Sequence, residues 1–317
     1  MTKKYEPLNA MEYLRFEGIR TFMHLPHVTD LTDVDFALVG VPFDTGATFR
    51  GDHFGPSGIR DNSLLLRPYN PAQDIEIFKY CNGVDYGDLP IIPGYLTESH
   101  QLIKEGTKDL LDTGIKPIFM GGDHSVSLPI LRAVKEKLGP VALVHFDAHS
   151  DLWHGYFDSK DTHGTPFRRA LEEELIDPSR SSQIGLRGPL YDKEDYNMSR
   201  DAGLLTIPGP ELHKIGIEKA IEIVKERTGD GPAYTTFDID FVDPAYAPGT
   251  GTPEAGGFTG YDSILFVRGL TGINFIGFDM VEVMPGYDPA QVTSLLAANI
   301  IYEFITLIAL SIKDQEQ

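Results

Sequence analysis

The stretch VALVHFDAHSDLW, Val141 to Trp153, opens on a short apolar run and closes on Asp147, His149 and Asp151 at every second position. An apolar run of this length, with no polar alternation, fits a strand buried on both faces of a parallel sheet. Alternate residues of an extended chain share a face, so two carboxylates and an imidazole converge at the carboxyl end of that strand. Left alone they repel one another; a divalent cation turns the repulsion into binding. His145, one step out of phase, reads as a packed core histidine. Any single aspartate in the stretch also suits a turn or a helix cap.

Working outward, similar runs recur: FALVGVPF, KPIFMGG, AYTTFDID and INFIGFDMVEV, each bounded by Gly, Asp or Pro. Helical spacing appears between several of them, at Leu96–Leu111, Leu128–Leu138 and Ile215–Arg227. Strands alternating with helices predict an α/β fold, a mainly parallel central sheet with helices on both faces. No flexible linker or repeat divides residues 1–317, so a single domain is expected, with residues 1–31 an extension packed on the domain or on a neighbouring subunit.

In open parallel sheets ligands gather beyond the carboxyl ends of the strands. Here those ends supply His124 in GGDHS, then Asp147, His149 and Asp151, then Asp238 and Asp240 in DID. Six oxygen or nitrogen ligands without a thiolate describe a site for Mn, Mg, Ni, Co or Zn, and the carboxylate–imidazole mixture leans towards Mn or Ni. One ion rarely needs six protein ligands; two ions sharing carboxylates use them all. The loop FVDPAYAPGTGTPEAGG, Phe241 to Gly257, is dense in glycine and proline and reads as a shaped loop at the mouth of the site.

Other classes fit poorly. With 27 basic against 47 acidic side chains the net charge is −20, so nucleic acid and anionic membranes are poor partners. Cys81 is the only cysteine, which excludes an internal disulfide and a thiolate-rich metal site and suits a reducing cytoplasm. The N-terminal residues hold no apolar run of signal-peptide length. The longest apolar segment, Thr293–Ile312, has the length of a membrane span, but Asn299 and Glu303 interrupt it and it reads as a buried core helix. GTG opens no dinucleotide-binding helix, GK[ST] is missing, and Ser125 and Ser127 stand in no GxSxG elbow.

GGDHS, FDAHSD and FDIDFVDPAYAPGTGTPEAGG, in that order, resemble the three signature motifs of the ureohydrolases, the arginase and agmatinase family of dinuclear manganese enzymes. The similarity runs from about Val39 to Phe304 and implies a three-layer arginase-like domain. It implies that His124, Asp147, Asp151 and Asp238 hold one metal and that Asp147, His149, Asp238 and Asp240 hold the other, as two Mn2+ with Ni2+ or Co2+ as alternatives. His163 resembles the family's proton-shuttling histidine and Glu282 the carboxylate that receives the guanidinium, so His163, Glu282 and Asp151 are the expected catalytic residues. Asp123 is expected to orient His124 from behind.

A small guanidino substrate cleaved to urea and an amine, and a homo-oligomer, trimer or hexamer, complete what the resemblance implies. Leu152, Trp153 and His154 stand where arginases carry an Asn-containing stretch, which makes arginine a poor candidate. The motifs look like the agmatinase branch, so agmatine is expected, with 4-guanidinobutanoate, 3-guanidinopropanoate or an alkylated guanidine as alternatives. Trp153, His154 and Arg168 are read beside Glu282 as substrate contacts. Arg168 and Arg169 suit a carboxylate tail, or equally a paired surface site on a helix start.

Overall fold

The computed structural model describes residues 4–156 and 158–315. Its strands are β1 (Phe36–Gly40), β2 (Tyr69–Asn70), β3 (Ile75–Glu76), β4 (Gly83–Asp88), β5 (Lys116–Met120), β6 (Ala142–Phe146), β7 (Ser182–Ile184), β8 (Leu205–Ile207), β9 (Ala233–Asp238) and β10 (Phe275–Val281). β2 and β3 form a small antiparallel ribbon; the other eight make one sheet in the order β4-β1-β5-β10-β9-β6-β7-β8, with parallel pairings.

Residues along the strands alternate between two cores, as a period of two requires. Phe36 and Leu38 enter one core while Ala37 and Val39 enter the other; Val144 and Phe146 separate from Leu143 in the same way. On the first face lie α1 (Gly55–Ser63), α2 (Ile77–Tyr80), α8 (Ile217–Thr228), α9 (Gly260–Gly269) and α10 (Val292–Gln315). On the second lie α3 (Leu96–Asp112), α4 (Ser127–Leu138) and α5 (Pro166–Glu172), which gives three layers. Two further helices are α6 (Lys193–Asp201) and α7 (Gly209–Ile215); Gly216, at φ 83°, separates α7 from α8, the helix whose spacing was read at Ile215–Arg227.

Helix α10 has the length and apolarity of a membrane span but is the core helix of the first face, buried continuously from Ile300 to Ala309. Its one central charge, Glu303, meets Arg268 at 2.7 Å and Asn70 at 3.2 Å, so the carboxylate is paired where it is buried. The N-terminal segment crosses the domain edge. Tyr5, Phe22, Met23 and Leu25 are buried, and Phe22 N donates to Asp85 at 2.8 Å, while Met11, Phe16 and Ile19 remain exposed.

Register fixes what stands above the sheet. Met120, Met280, Phe237 and Phe146 are neighbours across β5, β10, β9 and β6, so the loops leaving these four central strands open over one area. Beneath them Phe146, Phe237 and Phe241 pack with ring centroids 5.0–5.5 Å apart. Burying each phenyl group stabilises the fold by roughly 1.5–3 kcal/mol, so the layer beneath the site is an apolar, packed support.

Candidate metal centre

The chain leaves two of the central strands, β6 and β9, through aspartates that do two jobs. Asp147 Oδ1 accepts His149 N at 2.6 Å, Asp238 Oδ1 accepts Asp240 N at 2.8 Å, and Asp240 Oδ1 accepts Ala148 N at 3.0 Å, fixing the turns. The other oxygen of each faces the centre. His124 Nδ1 lies 3.2 Å from Asp147 Oδ2, 3.0 Å from Asp151 Oδ2 and 3.1 Å from Asp238 Oδ2. His149 Nδ1 lies 3.0 Å from Asp240 Oδ2 and 3.5 Å from Asp147 Oδ1.

All six expected ligands thus meet, though not by the route their spacing suggested. β6 ends at Phe146, and Asp147–Asp151 is a turn with Asp151 at φ 51°. Its two arms, His149 and Asp151, flank Asp147 instead of lining up on an extended chain. Holding a residue at positive φ costs of the order of 1–3 kcal/mol, and Glu282, at φ 62°, repeats the feature immediately after β10.

The donor set fits divalent cations. His124 Nδ1 is buried without a hydrogen-bond partner, while Nε2 lies 2.8 Å from Thr236 Oγ1, which fixes the tautomer with a free lone pair on Nδ1. Burial and the neighbouring carboxylates raise the pKa of Asp238 well above its usual value and raise that of Asp240. Burial disfavours charge on His124 and His149 too, yet the carboxylates beside them outweigh it and pull both upward. The cluster as a whole calls for positive charge.

Sequence reasoning missed much of the support. His145 is packed as expected, fully buried and 4.2 Å from the Phe167 ring, but it also donates from Nε2 to Asp147 Oδ2 at 2.7 Å. Gln183 Nε2 donates to its Nδ1 at 2.9 Å, so both ring nitrogens are taken and His145 holds a ligand rather than being one. Thr236 hydrogen-bonds in turn to Asp279, whose Oδ2 accepts from Ser127 and Tyr234. A carboxylate inside the apolar run FIGFDMV was the available signal. Asp123 does not reach the His124 ring; it accepts Ser125 N at 3.0 Å and Gly46 N at 2.8 Å and shapes the loop instead. Gly122 belongs to that loop by necessity, since a Cβ there would stand 1.6 Å from Phe43 O.

A cavity of about 580 Å³ opens over this floor, lined in part by Asp151, Asp238, His149, His163 and Glu282. His163 Nδ1 lies 3.3 Å from Glu282 Oε1 and Nε2 lies 3.1 Å from Thr48 Oγ1. Glu282 Oε1 also accepts His124 N at 2.7 Å. Burial opposes charge on His163, but Glu282 outweighs it and the pKa rises to about 9; the same contact keeps Glu282 below its usual value despite burial. Phe49, Trp153, Tyr156 and Tyr191 form the mouth, and Thr252 and Glu254 of the Gly/Pro-rich loop line it too.

Two expected substrate contacts are elsewhere. Arg168 pairs with Glu172 at 2.7 Å along α5, where four-residue spacing puts both on the outer side, in a hollow with Leu152 and Met198. His154 is exposed and off the cavity lining, its carbonyl accepting Arg169 Nη1 at 3.1 Å. Arg169 is itself buried beneath this loop.

Comparison with known proteins agrees with this geometry. A guanidinobutyrase of Pseudomonas aeruginosa is 46% identical over 308 residues, covering 96% of this chain and 97% of the relative. A mitochondrial agmatinase of Gallus gallus is 41% identical, over 95% of this chain and 89% of the relative. The solved proclavaminate amidino hydrolase of Streptomyces clavuligerus superposes with a TM-score of 0.90 at 36% identity, over 94% of this chain and all of that one. Residues 34–306 match the family model described as the arginase family. The chain belongs to the arginase family, ureohydrolases that cleave guanidino carbon–nitrogen bonds at a dinuclear metal centre.

Proposed function

We propose that the chain hydrolyses a small guanidino compound to urea and an amine, with agmatine the substrate whose charge its cavity suits. The observation that carries the reaction is the pair of imidazoles, His124 and His149, each presenting Nδ1 to Asp147 and to further carboxylates on the floor of one cavity. His124, Asp147, Asp151 and Asp238 are the proposed ligands of one ion, and Asp147, His149, Asp238 and Asp240 those of the other. Carboxylate oxygen mixed with imidazole nitrogen suits Mn2+, with Ni2+ or Co2+ as alternatives. A metal pair held by these residues would supply an acidified water as the nucleophile near neutral pH.

The protein's own groups do the rest. Glu282, held by His124 N and His163, accepts charge-assisted hydrogen bonds from the guanidinium and sets its carbon over the floor. Once water has added to that carbon, the carbon–nitrogen bond to the tail breaks and its electron pair stays on nitrogen. His163, carrying a proton beside Glu282, gives it to the leaving amine.

Among the described residues no Lys or Arg lines the cavity, while Asp151, Asp238, Glu254 and Glu282 do, and four aromatic rings stand at its mouth. Acid and aromatic faces favour a cationic tail. A guanidino acid is the second reading, favoured by the 46% identity to a guanidinobutyrase; the hydroxyls of Thr48, Thr252 and Tyr191 would then meet its carboxylate. The exposed apolar side chains Met11, Phe16 and Ile19 support assembly into a homo-oligomer, trimer or hexamer.

The test is urea release by protein loaded with Mn2+ or Ni2+, given agmatine, 4-guanidinobutanoate, 3-guanidinopropanoate, arginine and alkylated guanidines in parallel. Agmatine turning over fastest supports the main reading, a guanidino acid the second. No urea from any of them, in protein holding two metals, removes both.

A further inference from the structure

His149 turns Nδ1 towards Asp240 and Asp147, and its other nitrogen faces a cavity-lining carboxylate. Nε2 lies 3.6 Å from Glu254 Oε1. Glu254 stands in the Gly/Pro-rich loop, and its main chain is clamped. Arg187 Nη2 donates to Glu254 O at 2.8 Å and to Asp240 O at 2.6 Å, tying the loop to the turn that carries a proposed ligand. Gly188 lies against both partners. A Cβ there would stand 3.0 Å from Glu254 Oε1 and 3.3 Å from His149 Cδ2, so the position leaves room for the imidazole–carboxylate pair and little for a side chain.

We propose that Glu254 is a positioning residue for His149: its carboxylate, an ion-pair partner 3.6 Å from Nε2, draws the proton to that nitrogen, favours the tautomer that presents Nδ1 to the metal centre, and makes Nδ1 a stronger donor. The inference rests on the metal-centre reading above. It gives the two imidazoles unlike supports, since His124 is backed by the neutral hydroxyl of buried Thr236 and His149 by a carboxylate at the cavity edge. Retention of the ion on the His149 side depends on Glu254, and retention of its neighbour does not.

The experiment is a metal titration of the stripped protein against a competing chelator, for the native chain, Glu254→Ala, Glu254→Gln and Gly188→Ala. The native chain takes up two equivalents. Glu254→Ala weakens one of them roughly 10- to 100-fold and leaves the other in place, the usual effect of losing a ligand's hydrogen-bond partner. Glu254→Gln, which keeps an acceptor without the charge, falls between. Gly188→Ala, which keeps the carboxylate but crowds it against the ring, weakens the same equivalent. With excess metal, kcat returns, because the defect lies in holding the ion.

An Ala titration that overlays the native one overturns the inference, and so does equal weakening of both equivalents, because Glu254 meets only one histidine. A raised KM with unchanged metal affinity makes Glu254 a substrate contact instead. A native chain that takes up no metal overturns the metal-centre reading, an outcome seen before any variant is compared.

Discussion

The floor and the mouth of the cavity are built by opposite means. On the floor Asp147, Asp238 and Asp240 each spend one oxygen on a turn and aim the other at the centre, so loop and site form together. At the mouth Trp153 stacks on Tyr156 at 5.6 Å and meets Tyr191 at the same distance, but these rings stand on irregular loops and Tyr191 is largely exposed. The floor is over-determined and suits a fixed reaction. The mouth is held by ring contacts and a few main-chain bonds, Trp153 N to Gly164 O at 3.1 Å and Tyr156 N to Ser159 O at 2.8 Å, so its side chains can change with less effect on the chemistry beneath, and the proposed substrate's tail would meet them.

The harshest way to break this contrast is to remove a shared floor residue. Asp147→Ala and Asp238→Ala are each expected to abolish urea release and to lower bound metal, measured by elemental analysis, because each serves both proposed ions and a turn as well. Full metal content with normal turnover in either variant would end the ligand assignment. His163→Ala comes next: metal content stays, and kcat falls roughly 10²- to 10⁴-fold, the usual share of a positioned acid or base.

The proton on His163 has its own check. Burial works against it, but Glu282 outweighs burial and sets the pKa at about 9, with Asp123 and Asp151 adding to the rise. The imidazole therefore keeps its proton through neutral pH and loses it near 9. Glu282→Gln removes the strongest raising influence, so proton loss moves to lower pH. Histidine NMR in metal-free protein would show the shift, and an unmoved titration would separate the two residues. A smaller effect is expected deeper down: Thr236→Val removes the acceptor behind His124 Nε2 and should weaken one metal equivalent roughly 10- to 100-fold.

The same contrast explains what could be read from the chain. Three layers and the convergence of the six expected residues were legible, because parallel strands buried on both faces announce themselves as apolar runs and the polar residues after them must sit at the carboxyl edge. Even there the means differed from the reading: Asp147, His149 and Asp151 meet through a turn, which a period of two does not reveal. Thr236 and Gln183 stayed hidden because a threonine or glutamine in a strand looks like any other until the strand beside it is known. Arg168 was misplaced for a local reason. Its distance from His163 in sequence is short, but α5 begins between them at Pro166 and turns Arg168 towards Glu172.

That misplacement yields the gentlest test of floor against mouth. Trp153 lines the cavity beside Gly164, where a Cβ would stand 3.1 Å from its indole ring, so the ring rests on the chain that carries His163. Trp153→Ala should raise KM several-fold through a lost cation–π or apolar contact of roughly 0.5–2 kcal/mol and leave metal content and most of kcat intact. His154→Ala and Arg168→Ala should change neither, because one side chain is in solvent and the other is engaged with Glu172. The comparison is sharpest with two substrates. If Arg168→Ala selectively damages turnover of a guanidino acid while sparing agmatine, the arginine must leave Glu172 to meet a carboxylate tail, and the mouth is remodelled on binding. If Trp153→Ala damages agmatine more than a guanidino acid, the ring reads positive charge, and the acidic lining of Asp151, Asp238, Glu254 and Glu282 is the reason.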